Sequence, residues 1–252
     1  MDYNERIVAF IDILGFKNII TSDKYKAEGI SHLLKYLRKQ YTLDKYPHSE
    51  IVKPTLSFFS DNIFLSYSYS PENELNIYED FIHRTSIMQA ILFSFGILTR
   101  GAVTRGFAIH NEEECFGPAV VRAAELESKI AIYPRIICDK NLNIINILTE
   151  SRFRDIIEET ELDMYYINFF SFLMNEKLSP FRYVGDVSFF DIRSMLYKLL
   201  ESSNESNIDY RPKQIWIIKQ WNLFINAMIT KFNIESDEYS GYIIKYDEDI
   251  PQ

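Results

Sequence analysis

Ile7 to Ile13 reads IVAFIDI, apolar at every position except Asp12, and that one carboxylate constrains the chain more than any other feature. The β-branched and aromatic residues around it predict a buried strand, and Gly15 supplies the turn that ends it. An unpaired carboxylate inside such a strand costs several kcal/mol. Asp12 must therefore bind a metal, pair with a cation, or sit at the strand's open end; taken alone it reads as an ordinary cap or ion-pair partner. A second acid changes that weighting. Residues 51–60 and 62–69 are apolar, aromatic-rich runs with almost nothing between them, which predicts a hairpin turning at Ser60-Asp61-Asn62. Asp61 alone reads as a plain turn aspartate. With the hairpin beside the first strand, Asp12 and Asp61 meet at strand ends, where like charges call for a cation between them. Hard oxygen ligands of this kind suit Mg²⁺ or Mn²⁺.

The remaining pattern assigns the architecture. Ile30, Leu33, Leu34 and Leu37 recur at helical spacing within 24–41, and a broad apolar stripe from Ile77 to Phe95 predicts a long helix over 75–98. Residues 101–110 read as a strand. The acidic turn 112–114 and Gly117-Pro118 then start a helix running to about residue 132, followed by a short strand at 135–138. The order β-α-β-β-α-β and then α-β predicts an α+β, ferredoxin-like palm over 1–140. Residues 141–252 read as a mainly helical extension packed on the same domain. Within it 182–186 is a short strand, 187–200 and 210–232 are helices, and 202–209 is an exposed loop. Trp216, Trp221, Phe224 and Ile225 are core or dimer-interface anchors. Tyr133-Pro134-Arg135 reads as a structural helix-to-strand junction.

Composition excludes several classes. A net charge of −9 argues against a nucleic-acid-binding surface. No apolar run is long enough to span a membrane and the first residues lack a signal pattern, so a cytoplasmic protein is expected. Cys115 and Cys138 stand without the spacing of a zinc site or a disulfide framework.

FIDILGF resembles the FxDIxGF signature of class III nucleotide cyclases, and Ser60-Asp61 resembles their GD hairpin. Gly101 to Gly106 and GPAVVRAAELES at 117–128 are similar to two further family segments, in the family's order. The resemblance implies a homodimeric enzyme that binds two Mn²⁺ or Mg²⁺ ions through Asp12, Asp61 and the Ile13 carbonyl. It places Phe10, Gly15, Phe16, Lys17, Ser60 and Arg105 around the nucleotide. Together with LTRG and YPRIICD, the pattern looks closer to the bacterial pyrimidine cyclases of Pycsar anti-phage systems. That implies UTP or CTP as substrate, and cyclic UMP or cyclic CMP as a messenger for a separate effector.

Departures accompany the likeness. Val121 and Glu125 occupy the family's transition-state asparagine and arginine positions, and Ser60 replaces a glycine. Charge developing on the phosphates needs preorganised donors, so Arg100, Arg105, Arg122 and Lys17 are the candidate cations, with Arg100 and Arg122 the catalytic choices. Two rivals remain: a catalytically inactive cyclase-like nucleotide-binding or interaction module, and a palm-type polymerase or dinucleotide synthase. No adjacent Asp-Asp or GGDEF-like motif supports the second.

Overall fold

The computed structural model describes residues 3–22, 24–42, 51–174, 189–203, 210–232 and 242–245. The alternation in the first apolar run becomes a central strand, β1 (Asn4–Ile13), followed at the glycine turn by a short helix α1 (Phe16–Ser22) and by α2 (Lys24–Thr42). The hairpin is β2 (Thr55–Phe59) and β3 (Asn62–Ser68), then come α3 (Glu74–Ser94), β4 (Thr99–His110), β5 (Cys115–Phe116), α4 (Pro118–Lys129) and β6 (Ile136–Cys138). A short helix α5 (Ile144–Ile147), strands β7 (Ile157–Glu159) and β8 (Tyr165–Ile167), and helices α6 (Phe169–Met174), α7 (Phe189–Ser203) and α8 (Arg211–Phe232) complete the order.

The sheet runs β2-β3-β1-β4-β6-β8-β7, with β5 paired to β4. The first four strands are antiparallel in the order β2-β3-β1-β4, which is the arrangement a β-α-β-β-α-β chain must take when each helix crosses one neighbouring strand. The α+β palm is therefore present. β6 adds in parallel to β4, and β8 and β7 extend that edge. The last two strands depart from expectation, since they lie inside the stretch that reads as mainly helical.

Strand alternation divides the buried residues. Ile7, Ala9, Ile11 and Ile13 face a core shared with α3, α6, α7 and α8, which includes Phe81, Phe170, Leu196 and Trp221. Val8 faces the other way and packs with Ala108 and Ala119, under α4. The long helix ends at Ser94 rather than at residue 98. Gly96 takes φ +76, its N–H bonds to Phe93 C=O and the Ile97 N–H bonds to Leu92 C=O, the Schellman closure that a left-handed glycine permits. The strand expected at 182–186 lies outside the described residues, as do 187–188 of the helix read over 187–200 and 204–209 of the loop expected at 202–209, whose first two residues, Ser202 and Ser203, instead close α7. No helix among the described residues is long and apolar enough to cross a membrane. Cys115 and Cys138 are both free thiols.

Trp221 is fully buried within the chain, donates its indole N–H to Tyr242 C=O at 2.8 Å, and packs on Phe170 and Phe224. It is a core anchor and not a dimer contact. Because one core joins the strands of the palm to the C-terminal helices, Trp221→Ala is expected to cost about 3–5 kcal/mol. Denaturant unfolding should show that loss in a single shared transition; a separate early transition with the palm unaffected would contradict it.

Candidate active site

Asp12 occupies the end of β1 and is held from both sides. On β3 its partner is Asn62; on β4 it is Arg100. One residue on, the Ile13 N–H donates to the Asp61 carbonyl at 2.9 Å, so the backbone itself fastens the hairpin turn to the strand end. Asp12 and Asp61 are thereby brought together at one rim of the sheet, close enough that the charge of Asp61 acts on Asp12.

The turn that presents Asp61 has two residues, Ser60 and Asp61, between the paired Phe59 and Asn62. Ser60 has φ +56 and Asp61 is not in the left-handed region, the pattern of a II′ hairpin turn, whose first position favours glycine. A serine there is strained by its Cβ. Asn62 Nδ2 donates to Asp61 Oδ1 at 3.1 Å and steadies the carboxylate.

Arg100 lies between two acids, its Nε 3.4 Å from Asp12 Oδ2 and 2.5 Å from Glu127 Oε1. Burial raises Asp12 above the ordinary carboxylate range; the charge of Asp61 adds to the rise, while Arg100 and, more weakly, Lys213 of α8 oppose it. Burial likewise raises Glu127, with Arg100 opposing and Asp12 and Asp61 adding. The centre is thus acid-rich and short of positive charge.

The other expected residues are distributed differently. Arg105 is five positions along β4 from Arg100, about 17 Å away and on the opposite face. There it pairs with Glu5 and Glu74, each at 3.2 Å, over the ring of Tyr69. Arg122 points from α4 to Asp139, with contacts of 3.0 and 3.1 Å. Burial would raise Asp139, but hydrogen bonds from Arg122 and Thr104 hold it below its usual value. Neither arginine joins the carboxylate pair. Lys17 is exposed on α1, Gly15 turns at φ +74, and Phe16 lines a groove with Ile20, Leu34, Arg38 and Phe58. Phe10 packs edge-on against Phe64 at 5.2 Å, on the same side of the sheet as Asp12. Arg135 is buried against Glu161 and ringed by Tyr133, Tyr166 and Trp216, a structural junction.

Two concavities lie near the pair, the α1–α2 groove of about 320 Å³ and a second of about 310 Å³ bounded by Ser57, Phe59, Phe64 and Glu114. Either is large enough for part of a nucleotide, and neither is lined by Asp12 or Asp61. Sequence reasoning does not single out Glu127 or Lys213. Glu127 carries a signal: it falls on the apolar stripe of Ala119, Ala123 and Leu126, the same anomaly that marks Asp12. Lys213 carries none.

Among the described residues no group of three or more His, Cys, Asp or Glu side chains is placed to hold a metal. The donor set is a pair of carboxylates, which suits an ion that keeps waters and takes substrate oxygens as its remaining ligands.

No family model matches the chain, and no curated protein matches it. Solved structures do. The guanylyl cyclase domain of the RhoGC fusion protein from the aquatic fungus Blastocladiella emersonii is 16% identical over 66% of this chain and 95% of that one, with a TM-score of 0.41. A bacterial light-regulated adenylyl cyclase is 12% identical, with 67% of this chain and 53% of that one covered, at 0.43. A class III adenylyl cyclase-like ATP-binding protein from Pseudomonas aeruginosa is 13% identical, covering 79% and 44%, at 0.40. Likeness this faint says nothing about activity, which has to be judged on the side chains themselves.

Two measurements probe this site. Ser60→Gly relieves the strained turn and should raise stability by about 0.5–1 kcal/mol, the steric gain exceeding the entropy cost of glycine; a lowered melting temperature would contradict the turn assignment. Asp12 has a raised pKa in the folded state, so its stabilising contribution is complete below its unfolded pKa and is lost as pH rises through the folded value. Without divalent ions, Asp12→Asn should therefore stabilise most at about pH 7.5, and its advantage over the wild type should shrink as pH falls through the raised value. Melts across that range that keep a constant difference would refute the shift.

Proposed function

We propose that this chain is a metal-dependent nucleotide cyclase that converts a nucleoside triphosphate, UTP or CTP, into the 3′,5′-cyclic monophosphate and pyrophosphate. The observation that carries the reading is the meeting of Asp12 and Asp61 at one strand end, tied by the Ile13 N–H to Asp61 C=O bond, with Asp12 pushed upward by burial and by its neighbour's charge. Two acids in that state gain when a cation replaces a proton. Asp12, Asp61 and the Ile13 carbonyl would hold Mn²⁺ or Mg²⁺. When bound, such ions lower the pKa of an attacking hydroxyl and neutralise phosphate charge. In the reaction the ribose 3′-hydroxyl releases its proton to solvent, its oxygen bonds to the α-phosphorus, the bond from that phosphorus to the oxygen bridging to the β-phosphorus breaks, and pyrophosphate departs with that oxygen.

The chain's own residues divide the remaining work. Arg100 pairs with Asp12 and Glu127 in the resting protein and is the arginine, among the described residues, in contact with Asp12. Arg122, committed to Asp139, and Arg105, committed to Glu5 and Glu74, supply positioning of α4 and β4 instead. Phe59 and Val121, 76% and 62% exposed, project from the side of the sheet that carries α4 and support a homodimer across that side. The pyrimidine base, the anti-phage role, the separate effector and the cytoplasmic setting belong to the proposal through the motif resemblance. A second reading, an inactive nucleotide-binding module, is favoured by two observations: Arg100 is already engaged by two acids, and Val121 and Glu125 supply no donor where the family has two.

Purified protein with each of the four ribonucleoside triphosphates and Mn²⁺ distinguishes the readings by mass spectrometry of the products. A cyclic pyrimidine monophosphate is expected, and Asp12→Ala or Asp61→Ala should lower its formation at least about 10³-fold, the scale of several kcal/mol of lost charge stabilisation. Turnover at the wild-type rate in either variant would remove the assignment. Nucleotide binding without any product would leave the module reading.

A further inference from the structure

The C-terminal helix reaches the carboxylates. Tyr210, immediately ahead of α8, packs its ring over Gly15, so closely that a Cβ on that glycine would lie 3.6 Å from it. Gly15 is the turn that follows the Asp12 strand. Two turns further along α8, Trp216 stacks on Tyr133 at the α4–β6 junction, with ring centroids 5.5 Å apart and planes 8° from parallel. Lys213 stands between these anchors, three residues from each and so on the same side of the helix. Its backbone N–H donates to Tyr210 C=O at 3.1 Å, which fixes the first turn. The side chain is half-buried, and its ammonium acts on Asp12.

The charge inventory gives this placement a purpose. Asp61 acts on Asp12, and both act on Glu127; Arg100 is, among the described residues, the guanidinium paired with Asp12 and Glu127, which leaves two of the three formal negative charges uncompensated by arginine. Arg105 and Arg122 are bound elsewhere. A polyphosphate approaching this rim meets net repulsion unless divalent ions and a further cation receive it. A lysine is a compact point charge with three rotatable donors and is suited to phosphate oxygens whose orientation is not fixed in advance.

We infer that Lys213 is a phosphate-gripping arm of the site, delivered by the C-terminal helix to the β- and γ-phosphates of a triphosphate held at Asp12 and Asp61. The inference rests on the nucleotide reading above, and it makes α8 part of the substrate-binding surface. Arg100 then stays paired with Asp12 and Glu127 while Lys213 receives the ligand.

Titration calorimetry of the full chain with inorganic tripolyphosphate in the presence of Mn²⁺ tests it. Lys213→Met and Lys213→Gln should each weaken binding about tenfold or more, the effect of losing one charge-assisted contact. Lys213→Arg should retain affinity within about threefold, and Lys219→Met, which removes a charge from an exposed position of the same helix, should change nothing. Thermal melts identify any variant that fails to fold, and the remaining substitution at position 213 then decides. Absence of binding by the wild type, equal affinity in wild type and folded Lys213 variants, or an equal loss in Lys219→Met would overturn the inference. A wild type that binds tripolyphosphate through Lys213 yet forms no cyclic product would sink the cyclase reading alone. Cyclic product formed with an unchanged KM by Lys213→Met would sink the lysine's role alone.

Discussion

The two-sided pairing of β1 is the constraint on which the rest of the molecule depends. Its residues are matched to β3 on one edge and to β4 on the other, so Asp12 cannot move along the sheet without breaking both ladders. A slip of one residue would also turn Ile7, Ala9, Ile11 and Ile13 out of the core and drive Asp12 into it. The position of one carboxylate is therefore set by the burial of four aliphatic side chains. The hairpin then needs a single backbone bond, from the Ile13 N–H, to bring Asp61 to the same place.

Around that fixed point the charges are segregated. Acids collect at the strand end, with Arg100 as their paired guanidinium, while Arg105 and Arg122 are bound by acids of their own further along β4 and α4. Alternation explains part of this: Arg100 and Arg105 are separated by an odd number of residues and face opposite sides. The segregation leaves the rim acid-rich, and the charge of Lys213, on a helix distant in sequence, acts there on Asp12.

How much of this is legible in the sequence depends on the length of each signal. Ten residues of β1, a hairpin with its turn acid, and a helix of 21 residues carry periodicity strong enough to read, and the palm follows from their order. Strands β7 and β8 have three residues each, too few to show a period, and they are strands only because β6 offers an edge. The helix α1 is seven residues long and exists because Gly15 redirects the chain. At the site, Asp12 and Asp61 are visible as acids in apolar surroundings. Glu127 carries the same mark but is hidden inside a motif whose other positions draw the eye. Which arginine accompanies Asp12 is a matter of register, which the strand sequence does not state, and Lys213 is adjacent only through the packing of Trp216 and Tyr210.

The carboxylate in β1 has a consequence before any ligand arrives. That strand precedes both of its partners in the chain, and its neighbour β4 begins only at Thr99, so IVAFIDI spends the early part of synthesis without an edge to pair with. An uninterrupted stretch of this composition is prone to intermolecular stacking, and a charge within it acts as a gatekeeper against that fate. Asp12 lowers the risk of aggregation during the interval in which the nascent palm is incomplete.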